Sequence, residues 1–188
     1  MTFETIISIC LGIGLSASVG FRVFLPLFAL SLASYFDVWQ LNESWQWISN
    51  TTALITLGAA TLVEIFAYFI PYIDNLLDGI AVPLAALAGT AIMLSTLADL
   101  SPVITWSLAI IAGGGTAAAV AGTSSATRLA STVSTGGIAN PIVSTIETGT
   151  SIVMSIISIF IPALAIILVI ILFFIIFKLY KKFKTSKT

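Results

Sequence analysis

Residues 142–182 read IVSTIETGTSIVMSIISIFIPALAIILVIILFFIIFKLYKK. The run is too long for one crossing of ~30 Å of hydrocarbon, which takes about 20 residues, and Pro162 near its middle divides it. We expect two spans, residues 142–158 and 160–179, followed by a basic tail. Lys178, Lys181, Lys182, Lys184 and Lys187 cluster at that end, and the positive-inside rule places it in the cytoplasm.

The rest of the chain follows the same pattern. Apolar residues make up 59 % of it and charged residues only 8 %, too few charges to cover a soluble surface. Residues 5–36 are apolar but punctuated by Gly12, Gly14, Ser16, Ser18 and Gly20, which predicts a broken helix or tight helical hairpin, with residues 21–36 continuing as a helix that tolerates Pro26. Residues 37–50, DVWQLNESWQWISN, are acidic, Lys-free and rich in Trp, an interfacial loop on the outside. Residues 51–70 form a span containing Glu64, ended by Pro71 before a polar turn at Asp74, Asn75 and Asp78. Spans at 79–97 and 103–121 follow, separated by a turn at Asp99, Ser101 and Pro102, the second loosened at its end by three glycines. The hydroxyl-rich stretch 122–137 is too polar to face lipid. The expected fold is all-α: a polytopic transmembrane helix bundle of about six to seven spans with broken or re-entrant helices. One transmembrane domain covers residues 1–180 and a basic cytoplasmic tail covers 181–188. The opening MTFETIISIC has Glu4 where a signal peptide would carry Lys or Arg, so it is not read as cleaved.

SASVGFR at residues 16–22 resembles SSATR at 124–128, each read as a small, hydroxyl-rich kink ending in Arg. Such a pair is what an inverted repeat of the transporter kind would leave, although the register extends no further.

Composition excludes several functions. The net charge of -1 and the lack of a basic cluster outside the tail argue against nucleic acid as a partner. With no His, Ser-His-Asp and Cys-His catalysis and His-ligated zinc are excluded, and neither a metal nor a cofactor is expected. Cys10 lies in an apolar run and cannot form an intrachain disulfide.

Six ionisable groups lie in or beside apolar runs: Arg22, Glu64, Asp74, Asp78, Arg128 and Glu147. A charge at the membrane centre costs ~3 kcal/mol on insertion scales, so these groups should face inward and pair. One reading is structural, with Arg22 and Arg128 clamping the bundle through Glu64, Asp74 or Glu147. The other makes them a site for an anion, lined by Ser18, Ser124 and Asn140 and opening toward the cytoplasm. Either way, the segments around the two arginines are expected to meet. Asp74 and Asp78 would point the same way if their turn is helical, as cytoplasmic interface residues or as ligands for a cation. Glu64, one turn from Tyr68, is a candidate proton carrier or Arg partner.

GLSASVGFRVFLPL at 14–27, EIFAYFIPYIDNLLDGIAVP at 64–83 and STGGIANPIVSTIE at 134–147 together resemble the bacterial membrane family catalogued as domain of unknown function 4126. The resemblance covers nearly the whole chain and implies a compact, multi-pass protein of the bacterial inner membrane, without an activity.

These observations point to a small transporter or channel-like protein with an Arg-containing site for an anionic solute or lipid headgroup. The reading from another class is a non-transporting scaffold or accessory subunit. Its partners would be the bilayer and that anion, with homo-oligomerisation left open. An enzyme acting on lipid phosphates, with Ser124 as nucleophile, Glu147 as base and Arg128 as clamp, is disfavoured because no His or metal cluster supports it.

Overall fold

The computed structural model describes residues 2–97 and 100–185; the expected turn residue Asp99 and the tail residue Lys187 lie outside them. Among the described residues there are eight α-helices and no strand: α1 (Phe3–Val19), α2 (Phe24–Tyr35), α3 (Thr51–Ala67), α4 (Pro71–Thr96), α5 (Pro102–Ser107), α6 (Gly115–Thr135), α7 (Asn140–Phe160) and α8 (Pro162–Thr185). A 3-10 helix, Glu43–Ser49, precedes α3, and a π-helical stretch, Leu108–Gly114, joins α5 to α6.

The helix starts follow local chemistry. The side chain of Thr2 accepts from the Thr5 amide at 3.2 Å to cap α1, and Asn50 does the same for α3 through the Ala53 amide at 2.7 Å. Pro71, Pro141 and Pro162 occupy the first turns of α4, α7 and α8, where the missing N–H costs nothing. Helix α6 stops at Gly136, whose φ of 64° is left-handed.

An apolar exterior encloses an interior that mixes an apolar core, around Leu15, Leu30 and Ile92, with buried polar groups. Ile55, Leu62, Val63, Phe66, Val103, Ile111 and Phe174 point outward, while Ser16, Ser18, Arg22, Arg128, Ser144 and Ser151 are buried. This is a helical membrane protein: apolar side chains face outward and most buried polar groups find partners inside. Helix α1 is central, packing on α4, α6, α7 and α8, and α2 lies against α3 and α7.

By length and composition three helical stretches can cross a membrane, Tyr72–Thr96, Pro102–Thr135 and Asn140–Phe160. The 3-10 helix and α3, bent by 66°, would make a fourth if they act as one span, and α1, α2 and the apolar part of α8 are shorter. The expectation of six to seven spans therefore includes helices below the usual crossing length.

Several boundaries differ from expectation. Helix α1 continues through Gly12 and Gly14 and breaks only at residues 20–23. These glycines are contact points: a Cβ on Gly12 would lie 2.3 Å from Met93 Sδ, and one on Gly14 2.4 Å from Ser158 Oγ. Pro71 does not precede a turn but begins α4, so Asp74, Asn75 and Asp78 are helical. The three glycines after Ala112 do not end a span; the helix passes through the π-helical stretch, and residues 122–135 continue it. SSATR therefore lies inside a continuous helix, unlike residues 16–22, and the two segments are not equivalent kinks. In the Trp-rich stretch, Trp39 reaches inward, its Nε1 donating to the Ile159 carbonyl at 2.8 Å.

Candidate functional site

The break between α1 and α2 sets up the site. Gly20 ends α1 against α6, where a Cβ would lie 2.4 Å from that of Val120, and the chain then turns Arg22 inward, 1 % exposed. Its Nε donates to Thr148 Oγ1 at 3.0 Å, Nη1 to the Phe21 carbonyl at 3.0 Å and Glu147 Oε2 at 3.3 Å, and Nη2 to the Ser144 carbonyl at 3.0 Å and Ser144 Oγ at 2.6 Å. Five contacts match the five N–H donors of a guanidinium.

Arg128, on α6 and also 1 % exposed, meets the same carboxylate. Its Nε lies 3.3 Å from Glu147 Oε1, and its Nη2 donates to Oε2. Nη1 pairs with Asp74, while Asp78 is 3.8 Å from Nε. Glu147 also accepts from the Ser124 hydroxyl. It thus joins α6, α7 and the α1–α2 break in one network.

Helix α4 brings Asp74 and Asp78 to the same guanidinium from adjacent turns, as four-residue spacing on a helix requires. Asp74 is fully buried and accepts from Asn140 Nδ2 at 2.8 Å, which also donates to Thr132 Oγ1 at 3.0 Å. Asn75 is exposed. The Tyr68 ring, at the end of α3, carries both cations over it, Arg22 Cζ at 4.1 Å and Arg128 Cζ at 4.2 Å from its centroid.

Two of the residues singled out in the sequence have other neighbours. Glu64 accepts from the backbone amides of Val23 at 2.7 Å and Phe24 at 2.9 Å, capping the start of α2 from a different helix. Ser18 bonds to Ser151 and Ser155 hydroxyls at 3.0 and 2.7 Å, one of the contacts holding α1 to α7. Sequence reading missed Ser144, Thr148 and Thr132. The signal was present on α7, where Ser144, Glu147, Thr148, Ser151, Ser155 and Ser158 recur at the spacing of one helix face in an otherwise apolar run.

Two apolar cavities flank the charged group. One, of about 220 Å³ between α6, α7 and α8, reaches Glu147 and Ser124; the other, of about 260 Å³ between α2, α3 and α4, reaches Glu64 and Tyr68. A third, of about 540 Å³, lies at the far end beside Trp39 and Glu43.

The amino-terminal turns of α2, α4 and α7 all reach the cluster, α7 through Asn140, and each helix start carries about half a positive charge. With two guanidiniums, they balance four carboxylates: Glu64, Asp74, Asp78 and Glu147. The carboxylates that meet the two cations are the chain's own.

The profile of a family described as Domain of unknown function (DUF4126) matches residues 9–182, and the chain belongs to that family. No curated protein and no solved structure matches it.

Proposed function

We propose, from a family membership that carries no activity of its own, that this membrane protein is a small transporter or channel-like protein whose anion site lies between Arg22 and Arg128. The observation that carries the reading is Glu147 bridging both guanidiniums. A carboxylate held by two arginines and a serine is a model tenant for an anionic solute or lipid headgroup, and displacing it would free a planar, bidentate site. Broken helices whose amino ends face an anion are a recurrent way to build such a site within a membrane. The basic tail points to a site near the cytoplasmic face of the inner membrane, because α7 leaves the cluster and α8 returns to it through Leu172 and Ile176.

The test is protein-dependent efflux of labelled small anions from proteoliposomes, together with native mass spectrometry for retained anionic lipid. Arg128→Lys, which keeps the charge and loses the fork, should remain folded and lower flux or retention severalfold. The saturation of all five Arg22 donors favours a second reading, a non-transporting scaffold held by internal ion pairs. Neither flux nor a retained anion in the folded wild type would leave that reading standing.

A further inference from the structure

We propose that the anion taken up by this site is an aliphatic monocarboxylate, and that it binds together with one proton, which neutralises Glu147. This rests on the anion-site reading above and names its substrate class and coupling.

The first ground is the group that now fills the site. Arg128 presents Nε and Nη2 side by side to the two oxygens of Glu147, with Arg22 Nη1 and the Ser124 hydroxyl completing the donors. Planar forks of this kind match a carboxylate in shape. A free carboxylate would meet the same donors once the side chain of Glu147 turned aside.

The second ground is the adjoining cavity. Its polar lining is Glu147, Ser124, Thr123 and Thr127, the two threonine hydroxyls already donating to carbonyls of their own helix, while Phe21, Val120, Val143, Ile146, Leu172 and Ile176 form apolar walls. A hydrated inorganic oxyanion would lose its water against these walls without replacement hydrogen bonds. A short hydrocarbon tail would bury apolar surface there and bring its carboxylate to the side of Glu147 where Ser124 already donates.

The third ground is charge balance. Around Glu147 stand Arg22 beyond α1, Arg128 on α6, Asp74 and Asp78 on α4, and Tyr68 at the end of α3, while Glu64 of α3 is taken up by the amides at the start of α2. Helix α2 carries no charged side chain, and α8 faces the cavity with Leu172 and Ile176. Both cations are already matched by carboxylates. A further negative charge in this low-dielectric setting therefore requires that one carboxylate be neutralised, and Glu147 is the one displaced. The proton comes from solvent with the anion and rests on a Glu147 oxygen; it leaves when the anion leaves.

Purified full-length protein in detergent can be titrated with hexanoate, hexanol, hexylamine and inorganic phosphate, with thermal unfolding as the readout. Hexanoate should stabilise the protein where hexanol and hexylamine do not. Because binding takes up a proton, hexanoate affinity should fall about tenfold for each pH unit of increase, over a range in which hexanoate itself stays ionised. Glu147→Gln, permanently neutral, should bind hexanoate more tightly than the wild type and lose the pH dependence. If that variant does not fold, the wild-type pH series decides alone. Hexanoate acting no better than hexanol, or independently of pH in the wild type, would overturn the proposal. Stabilisation by phosphate instead would overturn the carboxylate assignment and leave the anion-site reading in place, whereas a null result with both anions would count against both.

Discussion

Glu147 and Arg128 meet side-on inside the bundle, Arg128 Nε 3.3 Å from Oε1 and Nη2 bonded to Oε2, with neither residue more than 5 % exposed. A guanidinium and a carboxylate aligned in this way share two parallel contacts, and each is held further, Glu147 by Arg22 and Arg128 by Asp74.

Arg128→Ala is expected to destabilise the fold by about 3–5 kcal/mol, because buried Asp74 loses its cation and Glu147 keeps only Arg22. Adding Asp74→Asn should recover part of the loss, since the carboxylate left without a cation is then neutral. Reversible unfolding in mixed micelles checks this. No recovery in the double variant would mean that the loss came from packing.

Glu64→Gln should cost about 1–2 kcal/mol without affecting anion binding. Each carboxylate oxygen now accepts from a different amide, Val23 or Phe24, and Gln has only one acceptor oxygen. Stability and ligand retention measured on the same variant separate a capping role from a role in the site.

The meeting of Arg22 and Arg128 was legible in the sequence, because each lies in a stretch of small and hydroxyl residues that lets backbones come close and buries the charge against carboxylates. Glu147 was among the candidates, but its choice as shared partner depends on α6 and α7 being neighbours. The cap that Glu64 provides was not legible, since its partners are backbone amides 40 and 41 residues away. The glycines of α1 misled for a related reason. A sequence shows that a side chain is missing and not what stands opposite, so Gly12 and Gly14 looked like breaks although they mark close packing. Pro71 is a stop for α3 and a start for α4, and the polarity of Asp74, Asn75 and Asp78 suggested a turn because the cation that balances the two Asp lies on α6.

The proposed orientation puts the site end of the bundle and the carboxyl-terminal lysines on the cytoplasmic side. In a Cys10→Ala background, Gln46→Cys should react with an impermeant maleimide on intact cells, and Ser134→Cys only after permeabilisation. The reverse pattern would turn the molecule over and place the arginine site on the outside.

Two glycines should respond oppositely to alanine. A Cβ on Gly113 would lie 2.6 Å from the Gly89 carbonyl oxygen, backbone that cannot move aside, so Gly113→Ala should cost about 1–3 kcal/mol as α4 and the π-helical stretch are pushed apart. Nothing stands within 4 Å of a Cβ on Gly149, in the middle of α7, and Gly149→Ala should stabilise the protein by about 0.5–1 kcal/mol. Unfolding midpoints of the two variants check the contrast.

Tyr68 holds two like charges close together, with both guanidiniums within 4.2 Å of its ring centroid. The contact is with the ring face, so Tyr68→Phe should be nearly neutral, whereas Tyr68→Leu should lose at least about 2 kcal/mol from desolvated cation–π contacts. A smaller side chain also leaves a void, and the single variants alone do not separate the two effects. A double-mutant cycle does: with Arg128→Met in place there is one cation fewer for the ring to attract, so the cost of Tyr68→Leu should shrink by about 1–2 kcal/mol. If the two substitutions are additive, the ring only fills space, and the paired arginines are held by their carboxylates and hydroxyls alone.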